Sequence, residues 1–188
     1  MFVCLLVFVF VSIGYMQKNN LSQKILYSKT KHSASGLSHY PKNFPGAVLI
    51  TDDNEIVPFV GHAGIIINSR QIIESSCFEG VHYGPNDWDI AKKTCYCSIP
   101  NKFTKQKCFL AANWSQNQIG KSYNYNFFDW RNTKTNKFYC SQIIWTAYQN
   151  SCQKDLVPAH PLILLPLEFI SSPETKIIYL KDAYHEKK

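Results

Sequence analysis

Between Ala47 and Ser76 the chain carries three short apolar segments set apart by two turn signals, and this spacing constrains the fold most. Ala47-Val48-Leu49-Ile50 reads as a strand, Asp52-Asp53-Asn54 as a turn, and Val57 to Ile67 as a second strand. Asn68-Ser69-Arg70 is a tight connection, and Gln71 to Ser76 follows as a third strand. Connections this short join antiparallel neighbours, because a parallel crossover needs about a dozen residues or more. Residues 79–100 read as irregular, with turn signals at Gly84-Pro85-Asn86-Asp87, except for a strand through Thr94 to Ile99. Phe103 to Gln118 carries Phe109, Leu110, Ala112 and Trp114 and predicts a helix ending at Gly120. Residues 121–137 form a Tyr-, Asn- and Phe-rich loop. Tyr139 to Asn150 is helical, with Ile143, Ile144 and Ala147 on its apolar face. A Pro-rich stretch at 158–166 leads to a last strand, Lys176 to Leu180. The expectation is an α+β chain with a mostly antiparallel sheet.

The N-terminal 43 residues differ from the rest. Met1 to Gln17 carries no charge and Phe2 to Val11 is unbroken apolar sequence, too short for the roughly 20 residues of a spanning helix. It reads as a signal peptide with small residues at Ser12-Ile13-Gly14, or as an uncleaved membrane anchor, so the chain is expected to be exported. Residues 18–43 read as a polar linker with one short helix around Leu21 to Tyr27, leaving 44–188 as the folded domain. That region is long enough to bury a core, and the 45% hydrophobic content argues against disorder. A formal charge of +7 favours anionic partners, an anionic membrane surface among them. Its lysines are scattered and no nucleic-acid motif accompanies them, so no nucleic-acid partner is expected. Of seven cysteines, Cys4 lies in the leader; the other six would be expected to form disulfides in an oxidising compartment, apart from any working thiol. The Cys95-x-Cys97 spacing is not a zinc knuckle, and no metal site is expected.

Three residues outside this framework carry chemistry. Cys140 opens the helix Phe138-Tyr139-Cys140-Ser141-Gln142-Ile143-Ile144-Trp145. A thiol there meets the positive end of the helix dipole and unpaired N–H groups, which favour thiolate and can receive an oxyanion. Cysteine is also among the most buried residue types, so a small core residue or half of a disulfide is the alternative. His62, in Gly61-His62-Ala63-Gly64, starts an apolar strand that needs no imidazole for packing, and its pKa suits proton transfer near neutrality. A histidine bonded to a carbonyl at the sheet edge is its plainer reading. Glu74 sits in Ile72-Ile73-Glu74-Ser75-Ser76. A three-residue loop at Asn68-Ser69-Arg70 would place Gly64 opposite Glu74 and His62 diagonal to it, within reach of long side chains. Such a carboxylate could orient the imidazole, or simply face solvent on the sheet surface.

In order, Pro45-Gly46, Gly61-His62-Ala63-Gly64-Ile65, Ile73-Glu74-Ser75 and Phe138-Tyr139-Cys140-Ser141-Gln142-Ile143-Ile144-Trp145 resemble the circularly permuted branch of the NlpC/P60 cysteine hydrolases. The YiiX/YebB-like group is the nearest in pattern, and Leu165-Pro166-Leu167-Glu168-Phe169 resembles its ending, so the likeness runs from about Phe44 to Tyr179. Ala47 departs from it, standing where the group has Asp after Pro-Gly. The resemblance implies a permuted papain-like fold whose antiparallel sheet packs on the nucleophile's helix, with Cys140 as nucleophile, His62 as base and Glu74 as orienting group. His82 is an alternative to Glu74, since relatives related to lecithin:retinol acyltransferase use a second histidine. His160 reads as a loop residue. Tyr123 and Tyr125 would line the cleft, offer a hydroxyl to an oxyanion, or pack beneath the helix. The implied activity is thiol hydrolysis of amide bonds through an acyl-enzyme, with peptide or peptidoglycan fragments as substrates and no cofactor. A lipid acyl hydrolase or acyltransferase, or a non-catalytic envelope-binding module of the same fold, are the alternatives.

Overall fold

The computed structural model of the protein describes residues 39–53 and 60–182. The expected leader, the short helix near Leu21 and the start of the second strand at Val57 lie outside the described residues. Six strands form one sheet: β1 Val48–Thr51, β2 His62–Ile66, β3 Gln71–Ser76, β4 Gly80–Pro85, β5 Thr94–Pro100 and β6 Thr175–Asp182. Their order is β4-β3-β2-β1-β5-β6, and every pairing is antiparallel. Among the described residues, four α-helices accompany them, α1 Trp88–Ala91, α2 Lys105–Gln116, α3 Cys140–Cys152 and α4 Glu168–Ser171, with a 3-10 turn at Phe127–Asp129.

Side chains alternate across a strand, so each strand feeds two layers. On the inner face Val48, Ile50, Ala63, Ile65, Ile73 and Tyr96 meet Ala111 of α2 and Ile143, Ile144, Ala147 and Tyr148 of α3. On the outer face Leu49, Ile66, Ile72, Cys95 and Cys97 lie under Trp88 of α1, with Tyr40 and Phe44 packed against them. Ala47 is fully buried in this outer layer, where a small apolar residue suits the packing. α3 is therefore a core helix, buried along most of its length.

The hairpin register is the one a three-residue connection requires: Gly64 pairs with Glu74 and Ile66 with Ile72. Two expectations need correction. Residues 80–85 are not irregular but form β4, the edge strand, with His82 directly opposite Glu74. Gly80, Gly84 and Pro85 carry turn chemistry, yet the edge position tolerates a proline that needs no ladder partner on its solvent side. The six thiols Cys77, Cys95, Cys97, Cys108, Cys140 and Cys152 are all free, contrary to the expectation of disulfides. Helix boundaries moved for local reasons. α2 starts after Thr104, whose hydroxyl caps the Lys107 N–H at 3.3 Å. α3 runs two residues beyond Asn150, to Cys152, and ends at Gln153 in the left-handed conformation (φ 52°).

Candidate active site

The first turn of α3 is held from two directions. The Ser75 hydroxyl donates to the Phe138 carbonyl at 2.6 Å, tying β3 to the residues before the helix. The Ser141 hydroxyl donates to the Leu164 carbonyl at 2.8 Å, tying the helix start to the 163–166 strip. Between these ties Cys140 is the first helical residue, 7% exposed. Tyr139, the residue before it, makes no side-chain cap, so the N–H groups of the first turn receive no side-chain acceptor there.

His62 is placed by the backbone before it. Gly61 has φ 76°, and a β-carbon there would lie 2.6 Å from the Thr51 carbonyl oxygen, so only glycine fits. The imidazole then leans over the outer face beside Trp88, ring centroids 5.7 Å apart. Its Nε2 donates to Oε2 of Glu74 at 2.8 Å, leaving Nδ1 as the nitrogen for the sulfur of Cys140. On the far side of Glu74, Nε2 of His82 stands 3.5 Å from Oε1 and 3.1 Å from Glu79. Nδ1 of His82 donates to the Gly80 carbonyl at 2.9 Å. His62 and His82 thus take opposite oxygens of one carboxylate. Gly84 leaves the room: a β-carbon there would lie 2.1 Å from Oε1 of Glu74.

The electrostatics follow from the contacts. Burial by itself pushes the Cys140 thiol up, but its hydrogen bond and charge interaction with His62 outweigh this. The Ala63 N–H and Ser141 act in the same direction, and the thiol lies below its ordinary range. Burial works against charge on His62, while the hydrogen bonds and charges of Cys140 and Glu74 raise it to about 10. Glu74 is likewise lowered: burial opposes its charge, and His62, His82 and Lys92 together overcome burial. Near neutral pH these directions favour thiolate, imidazolium and carboxylate in a row.

Cys140, His62 and Glu74, far apart in the sequence, therefore come together in the lining of one cavity of about 420 Å³. His82 joins them as the second neighbour of Glu74 rather than as its replacement. Tyr123 lines the cavity, whereas Tyr125 is 67% exposed and donates to the Cys77 carbonyl. His160 does not line it; its ring stacks on Trp130 and pairs with Asp155 at 3.5 Å. Sequence reasoning missed the cavity's second wall, Ile163 to Pro166, and the flanking Lys92. The apolar run Leu162 to Leu167 was its signal, masked by the prolines around it. Among the described residues no three His, Cys, Asp or Glu side chains converge as metal ligands.

Three comparisons bear on this arrangement. The sequence matches, over residues 8–179, the family described as permuted papain-like amidase enzymes, YaeF/YiiX, family C92. YycO of Bacillus subtilis (strain 168), an uncharacterized protein, is 24% identical over 147 residues, covering 77% of this chain. The chain spans only 59% of that relative's length. The crystal structure of metalloprotein YiiX from Escherichia coli O157:H7 superposes with a TM-score of 0.58 at 15% identity, over 73% of this chain and 97% of that one. Likeness at that identity speaks for the fold alone. With a family match across most of its length and the same fold in YiiX, the chain belongs to the permuted papain-like amidase family C92.

Proposed function

We propose that the protein is a thiol hydrolase that cleaves amide bonds through Cys140, His62 and Glu74. One observation supports this above all. Cys140 at the first position of α3 shares one cavity with His62 and Glu74, Nε2 of His62 bonds Oε2 of Glu74 at 2.8 Å, and, burial notwithstanding, the thiol is lowered while the imidazole is raised by their mutual contact. Sulfur as thiolate attacks the carbonyl carbon, and the developing oxyanion is received by N–H groups of the first turn of α3. As the C–N bond breaks, His62 gives its proton to the departing nitrogen. Water then attacks the thioester, its proton passing to neutral His62, and the C–S bond breaks to release the acid. Glu74 holds the imidazole in register and supports its charged form throughout.

The name of YiiX's crystal structure calls that protein a metalloprotein. The residues here do not fit a resident metal: Nε2 of His62 is spent on Glu74, and both nitrogens of His82 are engaged. No step is therefore routed through one. Peptide, isopeptide and lipid amides all present the carbonyl this chemistry needs. Export to an envelope compartment is part of the same proposal, supported by the apolar N-terminal run and the charge of +7.

Iodoacetamide at pH 7 is expected to label Cys140 first and selectively, and Cys140→Ala to abolish both that label and amide turnover. The same substitution at Cys152 leaves turnover intact. Slow labelling of Cys140 in a folded protein sinks the hydrolase reading and favours a binding module.

A further inference from the structure

The mechanism uses one of the six free thiols among the described residues, and the other five differ in what surrounds them. Cys77 lines the catalytic cavity. Cys95 and Cys97 lie two residues apart on β5, buried on its outer face, so their sulfurs stand side by side rather than facing one another. Cys108 and Cys152 are unlike these, because they belong to two helices that pack together. Cys152 is the last residue of α3 and is partly exposed. Its sulfur donates to the Lys107 carbonyl at 3.3 Å, resting on the peptide that leads into Cys108 of α2. Standard bond dimensions put a carbonyl oxygen about 2.8 Å from the next Cα, so this sulfur stands within roughly 6 Å of the Cys108 Cα. Cys108 itself is buried beside the hydroxyl of Tyr148, which sits one turn before Cys152 on the same face of α3. Burial pushes the Cys108 thiol up, Tyr148 pulls it down, and the charge of Cys152 pushes it up again: the two sulfurs lie within electrostatic reach.

We propose that Cys108 and Cys152 form an oxidation site, a dithiol that closes to a disulfide between α2 and α3 when it meets a small-molecule disulfide such as oxidised glutathione. The site stands apart from the hydrolase reading and does not depend on it. Cys152, the accessible partner, attacks one sulfur of the oxidant as thiolate; the oxidant's S–S bond breaks and one small thiolate leaves. Cys108, once deprotonated, attacks the Cys152 sulfur of the mixed disulfide, and the second small thiolate leaves. Two protein thiols are oxidised to one disulfide, one oxidant disulfide is reduced to two thiols, and both protons pass to the departing thiolates. The movement required is small. A rotation about χ1 of Cys152 trades the Lys107 carbonyl for the sulfur of Cys108. The new bond closes the chain from 108 to 152, the stretch that carries Tyr123 and Cys140, and pins the far end of the nucleophile's helix to α2. Its stabilising effect falls mainly on the unfolded chain, whose freedom the loop restricts.

The test uses the full chain carrying Cys140→Ala, so that the catalytic thiol cannot exchange, first reduced and then incubated with oxidised glutathione at pH 8. Mass spectrometry of the digested protein is expected to find Cys108 linked to Cys152 as the one protein disulfide. The link is expected to survive about a tenfold excess of reduced glutathione, as a bond closed without strain does. Oxidation is expected to raise Tm by at least about 5 °C, the scale for a loop of this length in a chain of this size, and dithiothreitol to reverse the rise. Cys108 lies in the core, so Cys152→Ser, at a partly exposed position, carries the comparison: this variant is expected to melt with the reduced parent and to lose the oxidation-dependent rise. Glutathione retained on Cys152 with Cys108 still free overturns the site, because the second attack then cannot occur. A link between any other pair, no link at all, or a Tm that oxidation leaves unchanged or lowers overturns it as well.

Discussion

Cys140 at the mouth of α3 and Cys97 in the middle of β5 are both buried, 7% and 0% exposed, yet their thiols move in opposite directions. Burial, then the neighbouring Cys95, pushes Cys97 well above the ordinary thiol range, and burial first pushes Cys95 up to about 12. Cys140 suffers the same desolvation and still falls below that range, because an imidazole shares its hydrogen bond and charge. The partner, not the depth, decides whether a buried sulfur is inert or reactive. Two halves of one sheet differ for the same reason: where β1 and β5 bury Leu49, Cys95 and Cys97 in an apolar layer, β2, β3 and β4 present His62, Glu74 and His82 in a row.

The strongest way to break the contrast is to remove the partner. His62→Ala should turn Cys140 into a second Cys97. Amide turnover should fall about 10²- to 10⁴-fold, the usual contribution of a general acid–base, and iodoacetamide labelling at pH 7 should slow with it. An alkylation rate that stays fast in this variant would mean that the helix terminus alone activates the sulfur.

Next in size is the carboxylate. Glu74→Gln keeps a hydrogen-bond acceptor but removes the charge that helps raise His62, and turnover is expected to drop roughly 10²-fold, the scale of a misplaced catalytic group. The pH profile sharpens this. In the unaltered protein thiolate labelling begins below the ordinary thiol pKa of about 8.5. Hydrolysis declines as pH rises through about 10, where His62 loses the proton owed to the leaving group. In Glu74→Gln that alkaline decline should shift to lower pH; if it stays in place, Glu74 is not supporting the imidazolium.

The smallest effect belongs to the inert thiol. Cys97→Ala should leave labelling of Cys140 and amide turnover within about twofold, while chemical denaturation reports a loss of about 1 kcal/mol from the outer layer. A large loss of activity would couple the two regions that the contrast separates.

Much of this was written in the sequence where interactions are local. The Asn68-Ser69-Arg70 connection fixed the parity that sets Gly64 against Glu74, and the change from polar loop to apolar helix marked the position of Cys140. What stayed hidden depends on contacts far apart in the chain. β4 exists because β3 offers it a pairing edge, so Val81-His82-Tyr83 became strand although glycines and a proline bracket it. The Ile163–Leu165 wall is set by the tie between Ser141 and Leu164, 23 residues apart, which no local pattern announces. Family resemblance suggested His82 as an alternative to Glu74, but only the sheet register shows it sharing Glu74 with His62.

The missing side chain at Gly84 has a consequence of its own. The atoms nearest to any added methyl belong to the carboxyl of Glu74, the far end of a flexible side chain, with Cγ1 of Ile72 next at 3.2 Å. Gly84→Ala would thus be relieved by swinging the acid away rather than by opening the sheet. A conventional melting curve would register almost nothing, while the imidazole quietly lost its anchor. Function here is insured by an empty space, and a mutation that touches none of the reacting groups could silence them all.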